Sequence, residues 1–241
     1  MGGGCSRSGN ISTIERPRQE ILTVWGDPFS PDTRSILAII RIGCGENFPL
    51  YLQEVDQFKG DLRREDYVKP NPSGPLPTLV EGRQVIIGGY VMCLRYLMSK
   101  HQQIRETLYP PDLKEHIDLM LEWFQNVMRV CSTKLIKMCI GPKAFGQPPF
   151  AQEDINRVQD EFFKVIVPAM DAGVKKSDYF CGDTLTAPDI IIYYELNTIL
   201  ILYKRQLNQQ ETPDLFAWHK KMSNNQEIAK GSVYENKLRN I

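Results

Sequence analysis

From Glu20 onward the apolar positions fall into two regimes. In the first they are short runs and hairpin-like pairs. Ile21 to Trp25 is a β-type run stopped by Gly26-Asp27-Pro28. Ser30-Pro31-Asp32 then supplies an N-cap, a proline at the first helical position and an acid in the first turn. Behind it Ile36, Ile39, Ile40 and Gly43 recur at helical spacing. Pro49 to Val55 reads as a second strand, so the opening is β-α-β, a parallel pair with a right-handed crossover. Pro77 to Val80, the turn Glu81-Gly82-Arg83 and Gln84 to Ile87 form a hairpin, followed by a helix from about Tyr90 to Lys100.

In the second regime the period is helical throughout. His101 to Asp112, with Tyr109-Pro110-Pro111, reads as a linker between the two. Leu113 to about Met138 carries Ile117, Met120, Leu121, Phe124, Val127, Met128 and Val130, mostly three or four apart. Gly141 to Phe150 is expected to break that helix, and Ala151 to Val167 makes another. Thr186 caps the most apolar helix, with Asp189 at its third position. Neither a β pattern nor an internal repeat occurs here. The expected organisation is a tether over 1–19, an α/β domain over 20–101 and an all-α bundle over 112–241.

Composition changes this picture little. Hydrophobic residues make up 42% and charged residues 24% of 241 residues, with 29 of each charge sign. This is globular composition without a field that recruits nucleic acid, so no nucleic-acid partner is expected. Cys5, Cys44, Cys93, Cys131, Cys139 and Cys181 form no CxxC pair and no metal-ligand cluster with the histidines. No metal and no disulfide framework is expected, and the reducing side of the cell is favoured. His101, His116 and His219 stand among Lys and Glu and read as residues of solvated helix faces. The greasiest stretch, Ile190 to Leu202, includes Glu195 and Asn197 and reads as a buried core helix rather than a membrane span.

The first residues change it more. Met-Gly-Gly-Gly-Cys-Ser fits a myristoylation pattern at Gly2, with Cys5 beside it placed for palmitoylation. One myristoyl chain binds a membrane only marginally, about 10⁴ per molar, and a second acyl chain makes the anchor stable. Arg7, Arg16 and Arg18 add attraction to anionic lipid. The alternative is an unmodified Gly/Ser-rich start. The expected place is the cytosolic face of a plasma, endomembrane or ciliary membrane.

The order βαβ–ββα followed by an all-α domain resembles the cytosolic glutathione transferases, most closely their theta class. Five segments carry the likeness over about residues 20 to 223. They are Leu22-Thr23-Val24-Trp25 leading to Ser30, Asn71-Pro72 to Leu79, Leu121-Glu122-Trp123, Phe180 to Asp189, and Leu215 to Trp218. The resemblance implies a thioredoxin-like glutathione-binding domain, glutathione as co-substrate, a hydrophobic electrophile as second substrate, and a homodimer. Leu76-Pro77 stands where the family has a cis-proline, whose preceding backbone pairs with the peptide of glutathione like an added strand; the alternative is a trans proline at a strand start.

The implied chemistry is attack by a thiolate. A free thiol has a pKa near 8.5, and lowering it by two units takes roughly 2.7 kcal/mol. A helix N-terminus supplies about 0.3–1 kcal/mol, up to about 2 when partly buried. A hydroxyl donor to the anion adds about 1.5–3 kcal/mol. Ser30 is the implied catalytic hydroxyl, or else simply an N-cap. Arg34, one turn on, either supports the site or faces solvent. Met120, Phe124 and Met128 either line the electrophile pocket or form ordinary core.

The sequence departs from the family where Glu-Ser is usual at the start of the third helix: it reads Gly89-Tyr90. That pair recognises the γ-glutamyl end, and losing two such contacts weakens binding by roughly a hundredfold to ten-thousandfold. Gly88-Gly89 offers a backbone nest for the glutamyl carboxylate instead. Lys59, Arg63 and Arg64 are candidate replacements for basic loop residues, or solvated charges. Two readings follow: a theta-like transferase at a membrane surface, and a non-catalytic scaffold of the same fold. A peroxidase-like reductase would prefer a cysteine at the helix start, where Ser30 and Thr33 stand.

Overall fold

A computed structural model describes residues 21–86, 88–175 and 177–239, apart from the side chains at 236 and 237. Gly2, Cys5 and the expected tether lie outside the described residues. Strand β1 (Leu22–Gly26) alternates buried and half-buried positions, as a strand covered unequally on its two faces does. It runs parallel to β2 (Leu50–Glu54), with Leu22 opposite Leu50. On its other side it pairs antiparallel with β3 (Thr78–Glu81), which continues to β4 (Gln84–Ile86). The sheet order is β2-β1-β3-β4.

Helix α1 (Pro31–Cys44) is the parallel crossover between β1 and β2. Its buried residues include Ile36, Ile39 and Ile40, and also the polar Asp32, Thr33, Arg34 and Ser35. A helix whose first turn is buried on every side serves two domains at once. A short helix, α2 (Glu65–Val68), precedes the loop to β3, and α3 (Gly89–Lys100) packs on α1. The segment expected to be a bare linker contains α4 (Gln102–Leu108). Ile104 and Leu108 are fully buried, and a Cβ on Gly43 would lie 2.7 Å from Ile104, so α4 is docked on α1. The prolines at 110 and 111 overstated the break, because two buried residues four apart outweigh them.

The helical domain begins with α5 (Lys114–Trp123), which continues through a π-helical turn at Phe124–Met128 into α6 (Arg129–Phe145). Gly141 does not break α6. The helix passes Pro142 and stops where Gly146 turns left-handed at φ 61°. Next come α7 (Gln152–Glu161), a second π turn at Phe162–Ile166, and α8 (Val167–Val174). Helix α9 (Ala187–Leu202) is buried through Leu200, the core helix its composition predicts. Asp189 Oδ2 accepts from the Thr186 N–H at 3.0 Å and hydroxyl at 2.7 Å. Its other oxygen takes the N–H of Phe180 at 2.9 Å and the indole N–H of Trp218 at 3.0 Å. Four donors therefore compensate a carboxylate whose pKa is raised by burial.

Helices α10 (Pro213–Ser223), α11 (Gln226–Ala229) and α12 (Glu235–Leu238) close the chain over α9 and α1. The histidines do not share one environment. His116 is exposed as expected. His101 packs edge-on to Phe48 near Glu81, and His219 is half-buried against Tyr193. His101 stands at the junction of α3 and α4, and the lysines beside the two histidines, Lys100, Lys220 and Lys221, are exposed. No described helix is long and apolar enough to cross a membrane.

Candidate functional site

The site begins at a carboxylate. Asp27 is fully buried at the end of β1, and its oxygens accept the N–H of Phe29 at 2.9 Å and the N–H and side-chain amide of Gln57 at 3.2 and 3.1 Å. Its own carbonyl takes the Ser30 N–H at 2.9 Å. This fixes the approach to α1. Ser30 occupies the N-cap position at φ −69°, ψ 128°, yet its side chain makes no capping bond. Pro31 at the first helical position has no N–H to offer. Ser30 is partly exposed and borders two hollows.

The first hollow, about 400 Å³, is bounded by Leu76, Gly88, Gly89, Tyr90, Gln57 and Gln125. Leu76-Pro77 is cis, and Leu76 precedes β3. Buried Asn71 holds the loop before it, donating to Pro75 O and Thr78 Oγ1, both at 2.9 Å. The Cys93 thiol donates to Pro77 O at 3.3 Å. Burial pushes that thiol up to about 12, which leaves it protonated and inert. Gly88 and Gly89 have φ of 110° and 72°, and a Cβ on Gly89 would lie 3.4 Å from Leu76 O. A Cβ on Gly88 would instead lie 2.8 Å from Met92 Cγ, so Gly89 alone stands against the cis-peptide carbonyl, and its positive φ disfavours a side chain there.

Tyr90 stands in the first turn of α3 and is buried, its hydroxyl donating to Gln125 Oε1 at 2.6 Å. The Arg129 guanidinium covers its ring, 4.7 Å from the centroid. Arg129 also grips Asp32 with both terminal nitrogens, at 2.7 and 2.6 Å, and lies 3.9 Å from Glu195. Glu195 accepts from Ser132. Burial raises the Glu195 pKa. For Arg129 burial acts downward, but Asp32 and Glu195 hold its pKa above the ordinary value. A cation at the start of α6 thus joins the first turn of α1 to the middle of α9.

The second hollow, about 290 Å³, opens on the other side of Ser30, where Phe29, Phe58, Ile136, Ile140 and Phe145 supply apolar walls. Phe58 stacks on Phe145 at 5.6 Å and meets Phe29 edge-on at 5.7 Å. Glu195 and Lys137 also border it. It is an apolar chamber with a few polar groups and Ser30 at its edge.

Several expected site residues lie elsewhere. Arg34 is fully buried and reaches neither hollow. It donates to Thr198 Oγ1 at 2.6 Å and to Glu235 Oε1 at 3.2 Å, beneath the Tyr194 ring. Four positions on, Arg34 starts from the same side of α1 as Ser30, but its side chain runs into the domain boundary, to Thr198 and Glu235. Phe124 and Met128 are fully buried core, and Met120 is packed against that core, so none lines the apolar hollow. The stripe faces inward, and the α6 part of the wall, Ile136, Ile140 and Phe145, comes about two to five turns after Met128. Lys59 and Arg64 are paired with Asp56, Asp61 and Asp66 on the loop surface. Arg63 is exposed and borders neither hollow.

Residues 130–230 match the family model described as Glutathione S-transferase, C-terminal domain. Among curated proteins, a probable glutathione S-transferase of Oryza sativa subsp. japonica is 28% identical over 70% of this chain and 76% of its own length. Glutathione S-transferase D7 of Drosophila melanogaster is 24% identical over 74% and 75%. Human glutathione transferase theta-2, solved in complex with glutathione and an unknown ligand, superposes with a TM-score of 0.78 at 20% identity, over 91% of this chain and 89% of that one. An epsilon-class glutathione S-transferase from the housefly gives 0.74 at 23%, over 91% and 95%. The fold is that of the glutathione transferases.

Within that fold, Ser30, Leu76, Gly88, Gly89 and Tyr90 come together around one cleft, whereas Pro77 supplies the cis bond after Leu76 without lining it. Sequence reasoning missed Asp32, Gln57, Gln125, Arg129 and Glu195. Asp32 read as an ordinary first-turn acid, and nothing local links it to Arg129, 97 positions on. The aromatic wall was also unannounced, because Phe58 and Phe145 sit in segments without periodicity.

Proposed function

We propose that this chain is a glutathione transferase that joins the glutathione thiolate to apolar electrophiles. The observation that carries the reading is Ser30, uncommitted to capping and standing between a polar hollow and an apolar one. In this reading the peptide of glutathione lies along Leu76, and its glutamyl carboxylate meets the backbone at Gly88–Gly89. The cysteinyl sulfur reaches the Ser30 hydroxyl, and the thiol proton passes to solvent. The sulfur forms a bond to the electrophilic carbon held by Phe29, Phe58 and Phe145, while the leaving group departs with its electron pair. An ionised Asp32 in the same turn would oppose the thiolate, and its bidentate pair with Arg129 neutralises it. The family match, the named relatives and the theta-2 complex with glutathione support the reading.

The second reading, a non-catalytic scaffold of the same fold, is favoured by Tyr90 standing where the family has a hydroxyl of Ser beside an acid. Calorimetric titration of glutathione and a conjugation assay with an aryl halide separate the two. Saturable binding at millimolar or tighter affinity, with turnover lost in Ser30→Ala, supports the enzyme. A folded chain that neither binds nor turns over leaves the scaffold.

Two further elements of the proposal concern assembly and place. Met92, Leu119, Val127 and Val130 are exposed apolar residues on α3, α5 and the α5–α6 helix, and they support a homodimer that light scattering would detect. Gly2 and Cys5 support dual acylation and action at a membrane surface. Membrane retention that survives both Gly2→Ala and Cys5→Ser would remove that element.

A further inference from the structure

One stripe of α6 lines the apolar hollow beside Ser30. Thr133, Ile136, Lys137, Ile140 and Gly141 all border it, at the three- and four-residue spacing of a single helix face. Lys134, also exposed on α6, falls off that stripe and does not border the hollow.

Four charged side chains line this hollow: Asp32, Arg129, Lys137 and Glu195. Three of them belong to one set. Arg129 holds both oxygens of Asp32 and lies 3.9 Å from Glu195, which also accepts from Ser132. Lys137 is the fourth, and among the described residues it enters no ion pair. It stands two turns beyond Arg129, about 12 Å along the axis of α6. Through Asp32, Arg129 marks the Ser30 end of the hollow. Lys137 is displaced from that end, beside Ile136 and Ile140. The hollow thus combines a hydroxyl at its edge, apolar walls, and an unpaired ammonium set apart from the hydroxyl.

We propose that Lys137 selects the second substrate, and that the preferred electrophile is an aryl ring bearing a carboxylate remote from its reacting carbon. This inference rests on the conjugation reading of Ser30. The ring lies among Phe29, Phe58 and Phe145, and its carboxylate meets the Lys137 ammonium. Attack by the thiolate forms the carbon–sulfur bond. The halide leaves with the electron pair of the bond that breaks, and the carboxylate is unchanged. Because Lys137 contacts the far end of the substrate in ground and transition states alike, its effect falls on KM rather than kcat.

The test compares 4-chloro-3-nitrobenzoate with 4-chloro-3-nitrobenzamide, which differ in charge more than in shape, as substrates of the full chain with glutathione. The benzoate KM is expected to be lower by about fivefold, the upper end for a solvent-exposed ion pair. Lys137→Met should raise the benzoate KM by about fivefold and leave the amide KM and both kcat values unchanged. Lys137→Arg and Lys134→Met should each keep the preference. Raising ionic strength from about 0.02 M to about 0.5 M should weaken the preference in the parent and have no such effect in Lys137→Met. Equal KM values in the parent overturn the inference. So does a preference that survives Lys137→Met or is lost in Lys134→Met. A parent that turns over neither compound counts against the conjugation reading instead. Calorimetric titration of 4-nitrobenzoate and 4-nitrobenzamide into the full chain then decides the inference. Tighter binding of the benzoate, lost in Lys137→Met, upholds it, and equal or undetectable binding overturns it.

Discussion

Arg129, at the start of α6, sets its two terminal nitrogens on the two carboxylate oxygens of Asp32, at 2.7 and 2.6 Å, and so ties the helical domain to the first turn of α1. Buried Glu195 is the third charge, 3.9 Å away. Removing the cation leaves two carboxylates facing each other in a largely dry boundary, and uncompensated buried charges cost about 3–5 kcal/mol. Arg129→Met is expected to lose about 3 kcal/mol in urea unfolding, and the Arg129→Met/Asp32→Leu double variant to regain most of it. Equal losses in the two would mean that the pair contributes packing rather than charge balance. If the conjugation reading holds, the acid limb of the pH–rate profile should also move to higher pH in Arg129→Met, because Asp32 then opposes the thiolate.

Ser30 is the residue on which structure and chemistry diverge. An N-cap serine that bonds the helix typically costs about 1 kcal/mol when replaced by alanine. Here the hydroxyl makes no such bond. Ser30→Ala should therefore change stability by less than about 0.5 kcal/mol, while lowering kcat/KM for conjugation by about tenfold or more. A large fall in melting temperature with intact turnover would return Ser30 to a capping role.

The contrast between these residues explains what was legible in the chain. Ser30, Leu76-Pro77 and Gly88-Gly89 were readable because each lies where a local signal changes: an N-cap before proline, a strand start, a glycine pair before a helix. The same holds for β1 to β4 and for α9, whose cap at Thr186 and Asp189 is contained in four positions. Asp32, Arg129 and Glu195 were not readable, because their meaning is a contact across three helices and each looks ordinary in its own segment. Arg34 failed in the opposite way. Its proximity to Ser30 in sequence suggested a shared site, whereas its long side chain runs to Thr198 and Glu235. Met120, Phe124 and Met128 failed because periodicity reports a buried face without saying whether that face meets core or cavity.

Gly89 offers a test of the backbone nest that is independent of Ser30. Its φ of 72° disfavours any side chain, and an added Cβ would sit 3.4 Å from Leu76 O. Gly89→Ala is expected to lose about 1–2 kcal/mol of stability from the left-handed conformation alone. A methyl in contact with the Leu76 carbonyl, on a nest shifted by the strained backbone, should raise KM for glutathione several-fold more than it lowers kcat. A variant that is destabilised but unchanged in KM would show that the glutamyl carboxylate does not bind there.

His219 sets the last expectation, on acid stability. It is half-buried, with Tyr193 at 5.1 Å and Asn197 at 3.2 Å, and burial pulls its pKa down to about 4 from an ordinary 6.5. The folded chain therefore binds a proton on this ring less readily than the unfolded chain. Its contribution is fully present above pH 6.5 and is lost as pH falls through about 4. The size is of the order of 3 kcal/mol at most, at about 1.4 kcal/mol per pKa unit. Asp27, Asp189 and Glu195, all raised by burial, act with the opposite sign and are lost as pH rises through their folded values. The His219 share must therefore be taken as a difference between proteins. His219→Gln, which keeps a polar partner for Asn197 and cannot titrate, should lose less stability than the parent between pH 7 and pH 4.5 in urea unfolding. Identical losses in the two would place the acid sensitivity of this fold elsewhere.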